Sequence, residues 1–191
     1  MLISISGLWA GSVYVPTAIT AMAERSNLTP ALAAQLVSNG TIALSTATIF
    51  GCLAAAWIVA WLGRRGALAF YFLLMLNAIA FTFGYAFYQL GGSGIVLFIC
   101  SLLALGFGGA NFAVYTIWLP EQYPTECRAS AFAFASSFAR FAGAGITFLV
   151  GAGVARCGSI GFPVALTALA FVPGLLLLPF GFETRGRSLP D

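Results

Sequence analysis

The sequence predicts an all-α integral membrane protein with six transmembrane helices. Of its 191 residues, 61% are hydrophobic and 7% are charged, whereas a soluble domain has about a quarter of its residues charged. The mean hydropathy is +1.00, and the apolar residues form runs of about 20 helical residues, the length that crosses a hydrocarbon core of roughly 30 Å. We therefore expect the lipid bilayer to cover most of the surface.

Charge and residue types exclude several classes of function. All eight cationic side chains are arginines, and they stand in short clusters between apolar runs, which argues against binding of nucleic acid. The four cysteines have neither a CxxC nor a metal-ligand spacing, so no metal site or other cofactor is predicted. Histidine is absent from the sequence and no serine or cysteine has a base near it, so we expect no enzyme.

Six apolar stretches are long enough to cross the membrane. They lie near 2 to 23, 40 to 62, 67 to 89, 94 to 119, 129 to 155 and 160 to 182, and together they form a single domain, 1–191. Thr29 followed by Pro30 is typical of an N-cap and a first helical residue, so we expect the second helix to begin well outside the membrane. After Gly181 the chain turns polar, and residues 183–191 form a short tail.

The breaks between these stretches set the orientation. In chain order they are Glu24 to Asn27, Gly63 to Gly66, Gln89 to Gly94, Pro120 to Arg128 and Arg156 to Gly161. On alternate sides, one side holds the arginines at 64, 65, 128, 185 and 187, and the other holds those at 25 and 156. Because cytoplasmic loops retain positive charge, we expect a multi-pass protein of the cell's inner or plasma membrane with both termini in the cytoplasm.

Arg140 is the one full charge inside an apolar stretch. It lies twelve residues past Arg128, which places it near the bilayer midplane, where a charge costs roughly 2.5 to 3.5 kcal/mol. No stretch contains an acidic residue at its depth. Three partners remain possible: a carboxylate from a protein region outside this chain, backbone carbonyls with water, or an anionic substrate.

Polar and small residues recur at helical spacing on three spans, and such faces look inward, toward protein or water. The stripes are Ser38, Thr41, Ser45, Thr48 and Cys52 on the second span, Ser101, Ala104, Gly108, Asn111, Tyr115 and Trp118 on the fourth, and Ser136, Arg140, Gly143 and Thr147 on the fifth. Tyr14 stands beside Pro16, whose freed backbone can line a cavity. For Asn111, an ordinary interhelical hydrogen bond is at least as good an interpretation as contact with a solute.

The loops of the predicted cytoplasmic face collect charges of both signs. They are Arg64, Arg65, Glu121, Arg128, Glu183, Arg185 and Arg187. Such charges could form a breakable ion-pair latch. The alternative is a solvated set of loops that only follows the positive-inside topology.

Three segments resemble one family of transporters. Pro120-Glu-Gln-Tyr-Pro-Thr-Glu-Cys-Arg128, with Arg140 twelve residues further on, resembles the loop between helices ten and eleven of major facilitator transporters. The tail from Glu183 to Pro190 is similar to the segment after helix twelve in sugar porters and their metabolite-symporter relatives, and Gly63-Arg64-Arg65 resembles the end of the loop between helices eight and nine. The resemblance implies helices seven to twelve, half of a twelve-helix fold built from a three-plus-three inverted repeat.

The resemblance also implies a mechanism and a set of residues. In this family two six-helix halves rock around a solute held near the midplane. Arg140 would attract a negative group of the substrate, and Tyr14, Asn111 and Tyr115 would orient it. The inward gate would be held shut by Arg64, Arg65, Glu121, Arg128, Glu183 and Arg187.

The chain departs from the sugar-porter pattern in ways that affect the substrate. The paired glutamines of helix seven are missing from Ser6 to Thr20, and Ala60 stands where the loop between helices eight and nine begins with an acidic residue. An arginine in helix eleven resembles organic-acid and metabolite symporters, so we favour a carboxylate-bearing solute and keep sugar as an alternative. Symport would need a carboxylate in the other half.

Two further alternatives remain open. The chain is a fragment of a longer protein, or it pairs with a second copy or with a separate amino-terminal half. A membrane protein of a different class, either a non-transporting fragment or an accessory or structural protein, also fits the composition.

Overall fold

The computed structural model describes residues 1–89, 91–181 and 183–185. In these residues the chain forms eight α-helices: α1 (Leu2–Val13), α2 (Val15–Arg25), α3 (Pro30–Gly84), α4 (Gly92–Gly109), α5 (Asn111–Trp118), α6 (Arg128–Cys157), α7 (Gly161–Leu166) and α8 (Phe171–Leu177). Short 3-10 helices lie at Ala86–Tyr88, Pro120–Gln122, Thr167–Ala170 and Leu178–Phe180. The predicted all-helical membrane fold is confirmed.

Five helical segments of the described chain are long and apolar enough to cross a membrane. They are Leu2–Arg25, Pro30–Tyr88, Gly92–Gln122, Arg128–Cys157 and Gly161–Phe180. The second has 59 residues, and a straight helix of that length would measure about 88 Å, nearly three times the hydrocarbon core. This segment must therefore bend back on itself if it is to fit the bilayer.

It bends at Gly63, within α3. The backbone there has φ 74° and ψ 174°, a conformation that favours glycine because it has no side chain. The Tyr71 hydroxyl donates a 2.8 Å hydrogen bond to the carbonyl of Gly51, twenty residues away, whereas the two would lie about 30 Å apart along a straight helix. The halves of α3, 30–62 and 64–84, are therefore antiparallel. The sequence predicts a break of four residues, Gly63 to Gly66, whereas in the structure only Gly63 departs from helical geometry.

Three of the other predicted spans are also interrupted, and in the sixth a 3-10 helix, Thr167–Ala170, separates α7 from α8. The first is interrupted at Tyr14, between α1 and α2, because Pro16 lacks the N–H that would continue the helical hydrogen bonds. The fourth is interrupted at Ala110, between α4 and α5. Interrupted helices free backbone groups in the interior, where they can line a cavity.

Small residues bring α3 and α4 into backbone contact. A Cβ on Gly51 would lie 2.6 Å from the carbonyl oxygen of Phe107 and 2.7 Å from the Cβ of Ala110. A Cβ on Gly106 would lie 2.2 Å from the carbonyl oxygen of Leu44. Such close approach is how helices associate in lipid, where the hydrophobic effect does not drive them together.

Large aromatic side chains fill the interior beside this contact. The fully buried ones are Tyr71, Phe72, Phe83, Phe98 and Phe171. They join the second half of α3 to α4 and α8. The core therefore lies on one side of the bundle, and the first half of α3 and much of α6 remain open.

The predicted polar stripes differ in their surroundings. On the fourth span most of the stripe, including Asn111, Tyr115 and Trp118, is buried against the other helices. On the second span Ser38, Ser45 and Cys52 are exposed. Periodicity alone predicts that a helix has a polar face. It does not predict whether another helix of this chain covers that face.

Candidate functional site

Arg140 lies in the middle of α6, about 18 Å along the helix from its first residue. Its side chain is exposed. Within residues 1–89, 91–181 and 183–185, no hydrogen bond or ion pair reaches its guanidinium. An arginine inside an apolar span normally pairs with another group or lines a wet cavity, so this side chain is available to a partner from outside these residues.

The buried side of α6 faces α1. Ser136, Ala139 and Gly143 are buried, and a Cβ on Gly143 would lie 2.9 Å from the side chain of Ile5. At 100° per residue, Arg140 lies about 60° from Gly143 around the helix. Its side chain therefore leaves the bundle at the edge of the contact between α1 and α6.

Tyr14 connects the interruption between α1 and α2 to α6. Its hydroxyl donates a 2.9 Å hydrogen bond to the carbonyl of Thr147. Thr147 lies seven residues from Arg140, about 10 Å along the helix. The Tyr14 hydroxyl thus has a protein partner here. This hydrogen bond connects the interruption between α1 and α2 to α6, the helix that bears Arg140.

Asn111 and Tyr115 are buried on α5, which packs mainly against α3. The Asn111 amide donates a 3.0 Å hydrogen bond to the carbonyl of Gly108. Its Oδ1 and the hydroxyl of Ser6 are buried without a hydrogen-bond partner in the described part of the chain, and the hydroxyl of Ser4 lies beside that of Tyr115. A buried polar group left unpaired costs about 1–3 kcal/mol, so this region is suited to water or to a polar solute.

These residues do not form one connected set. No hydrogen bond between described residues joins Arg140 to Tyr14, Asn111 or Tyr115. Sequence reasoning missed Ser4 and Ser6, although two hydroxyls in the first apolar span were the signal that could have pointed to them.

The charged loops meet at one end of the bundle. Arg64 binds Glu121 through two hydrogen bonds, from Nε to Oε2 at 3.0 Å and from Nη2 to Oε1 at 2.6 Å. The hydroxyl of Thr184 also donates to Oε2 of Glu121. The fork of Arg matches a carboxylate in this two-point geometry, so these bonds join the bend of α3 to the residues that follow α5 and to the tail.

The Glu183 carboxylate accepts hydrogen bonds from backbone N–H groups rather than from an arginine side chain. It accepts the N–H groups of Arg64 and Arg65, each at 3.1 Å, and that of Arg185 at 3.2 Å. The N–H groups of Arg64 and Arg65 begin the second half of α3, where a helix has no internal partner for them. Burial works to raise the pKa of Glu183, but the backbone hydrogen bonds from Arg65, Arg64 and Arg185 outweigh it and lower the pKa below its ordinary value.

The remaining arginines of this end bind backbone carbonyls. Arg65 donates to Leu178 at 3.1 Å and to Pro179 at 2.8 Å. Arg128 donates to the carbonyl of Tyr123 at 3.3 Å. Arg187 lies outside the described residues. We call Arg64, Arg65, Glu121, Glu183 and Arg185 the charged cluster.

Comparison with known proteins identifies the fold. No family model matches the sequence, and no curated protein matches it. The structure is similar to the inward-open conformation of the xylose transporter XylE from E. coli, with a TM-score of 0.70 and 18% sequence identity over 95% of this chain. The chain spans about half the length of that structure, 47% of it. This protein therefore has the fold of one half of a major facilitator transporter.

Proposed function

We propose that this protein moves a small polar solute across a membrane by alternating access, as one half of a secondary transporter. The fold supports this function, as does the interruption at Tyr14, whose hydroxyl is bonded to the helix that bears Arg140. The other half would be a separate amino-terminal half, a further part of the same polypeptide or a second copy. Both termini would lie in the cytoplasm, at the inner or plasma membrane of the cell.

An organic acid is the substrate class that we favour. The single observation behind it is the exposed guanidinium of Arg140, which has no partner among the described residues and lies in the middle of an apolar helix. A carboxylate of the solute would neutralise it near the midplane. Tyr14, Asn111 and Tyr115 would orient the rest of the solute after a rearrangement that frees their polar groups.

A sugar is the second candidate. The similarity to a xylose transporter favours it. The unpaired oxygens of Ser6 and Asn111 favour it too, because uncharged acceptors and hydroxyls match the hydroxyl groups of a sugar. In that case Arg140 would pair with a carboxylate of the other half rather than with the solute.

The charged cluster, with Arg128 and Arg187, would form the inward gate. The support is the number of separate segments that it joins: the bend of α3, the residues after α5 and the tail. A rocking motion that moves these segments apart would have to break the bonds of Glu121 and Glu183. The gate would therefore set the free-energy difference between the open and closed forms.

Uptake into proteoliposomes tests the transport function. The chain, alone and together with a second half, is supplied with labelled monocarboxylates, dicarboxylates and sugars, and the variants are Arg140→Ala and Arg140→Lys. Arg156→Ala removes an exposed arginine at the far end of the same helix and serves as the control.

The outcomes separate the alternatives. Acid uptake that disappears in Arg140→Ala and persists in Arg156→Ala supports the organic-acid proposal. Sugar uptake that survives Arg140→Ala supports the second candidate. Correctly folded chain that takes up no solute in either setting would contradict transport and favour a non-transporting membrane protein.

A further inference from the structure

An apolar groove lies on the open face of the first half of α3, just before the bend at Gly63. It encloses about 360 Å³ and is lined by Trp57, Ile58, Trp61 and Leu62. The two indoles are 81% and 85% exposed. Among the described residues no other helix covers it, so its occupant comes from outside them.

An arginine stands at the edge of this groove. Nη1 of Arg185 donates a 3.1 Å hydrogen bond to the carbonyl of Trp61. This carbonyl is free to accept because its usual helical partner, the N–H of Arg65, is bound to Glu183 instead. The tail thus places a guanidinium against the backbone of Trp61, a residue whose indole is exposed.

The positive charge of Arg185 is not neutralised within the described residues. The side chain forms no ion pair there. Glu121 is already bound by Arg64 and Thr184, and the Glu183 carboxylate accepts three backbone N–H groups. The groove therefore joins an apolar floor to a free cation.

This combination matches the two ends of a phospholipid. Indole rings favour the membrane interface, where the ring is apolar and the N–H can donate. Acyl chains would pack on Ile58 and Leu62, and a phosphate group would accept from Arg185. Basic pockets between helices at the cytoplasmic face are where anionic headgroups bind.

We propose that the Trp57–Trp61 groove, with Arg185 at its edge, is a binding site for an anionic phospholipid. The site attaches a lipid to the tail that also holds the charged cluster together. The composition of the membrane therefore acts on the stability of that cluster.

Quenching of tryptophan fluorescence tests this proposal without any transport assay. The full chain is placed in phosphatidylcholine nanodiscs that contain rising amounts of phosphatidylglycerol with brominated acyl chains, and separately of brominated phosphatidylcholine. Bromine quenches an indole on contact. We expect brominated phosphatidylglycerol to quench at a mole fraction roughly fivefold lower, the factor that one basic residue near the membrane surface supplies.

Variants assign the effect to its residues. Trp57→Phe with Trp61→Phe should remove the difference between the two lipids, whereas Trp9→Phe, at an indole that is 39% exposed on α1, should retain it. Arg185→Gln should make the two lipids equal, and Arg185→Lys should keep the preference. Arg156→Gln, at the far end of α6, is the matched control and should change nothing.

Two results would overturn the proposal. Equal quenching by both lipids in the unmodified chain would mean a non-selective lipid contact. No quenching of Trp57 and Trp61 by either lipid would mean that protein covers the groove, either a second copy or another half. The ratio in the unmodified chain decides the matter even if Arg185→Gln does not fold.

Discussion

Arg64 and Glu121 form a two-point ion pair across 57 residues of sequence. Their side chains are only 20% and 17% exposed, so water screens the pair less than it screens a surface salt bridge. The pair connects the bend of α3 to the residues that follow α5. Its strength can be measured separately from any role in gating.

Removing either partner should lower stability. We expect Arg64→Gln and Glu121→Gln each to reduce the free energy of unfolding by about 1.5 kcal/mol, since each breaks charge-assisted hydrogen bonds. The double variant should lose less than the sum, with a coupling of about 1 kcal/mol. Unfolding in mixed micelles of mild and denaturing detergent provides the measurement, and strictly additive losses would show that the two side chains act independently.

Acid should weaken the capping of the second half of α3. The pKa of Glu183 lies below its ordinary value of 4.5, so its contribution is present above that ordinary value and is lost as the pH falls through the lower pKa of the folded state. The melting temperature of the unmodified chain should therefore exceed that of Glu183→Gln at neutral pH, and the two should converge once the pH falls below the lowered pKa of the folded state.

Glu126 gives the control for this titration. It lies on the exposed loop before α6, and Glu126→Gln should leave the melting temperature unchanged at neutral pH. A difference between the unmodified chain and Glu183→Gln that stays constant down to the lowest pH would argue against a charged cap.

The contact between α3 and α4 should not tolerate one added methyl group. Gly51→Ala would place a Cβ 2.6 Å from a backbone oxygen of Phe107, which cannot turn aside as a side chain can. We expect a loss of about 1–3 kcal/mol, typical of overpacking. Gly145→Ala on α6 meets nothing within 4 Å and should be neutral or slightly stabilising, because alanine favours a helix. Equal stability of both variants would mean that the two helices separate easily.

The fold-back of α3 should depend in part on one hydroxyl. Tyr71→Phe removes the bond to Gly51 with almost no change in shape, so we expect a loss of about 1 kcal/mol. Tyr85→Phe alters an exposed tyrosine just after the same helix and should have no effect. Unfolding curves of the two variants in the same detergent would decide, and a Tyr71→Phe curve that overlays the unmodified one would count against this role.

Some of this structure could be predicted from the sequence because it depends on local chemistry. Apolar runs predict helices wherever they occur, Pro30 marks where α3 begins, and glycine beside arginines marks the bend at Gly63. The charges at Arg64 and Glu121 were expected to meet because alternate loops return to the same membrane face.

The rest depends on tertiary contacts that no local pattern encodes. Glu183 was expected to act through its charge, but the structure uses it on backbone N–H groups that become available only because Gly63 interrupts the helix. The polar stripe around Ser45 is exposed. Helical spacing predicts that polar residues share one face of a helix, but it does not predict what packs against that face. The oxygen of Asn111 is buried because α5 packs against α3, a contact that no local pattern encodes.

Glu183 supplies the cap of a helix that begins 119 residues earlier in the chain. A ribosome adds that carboxylate long after it has made the bend at Gly63, and domains start to fold while synthesis is still under way. Until then the first N–H groups of the second half of α3 must find other acceptors. The hairpin between its halves is therefore completed late, only after every helix between Gly63 and Glu183 has been made.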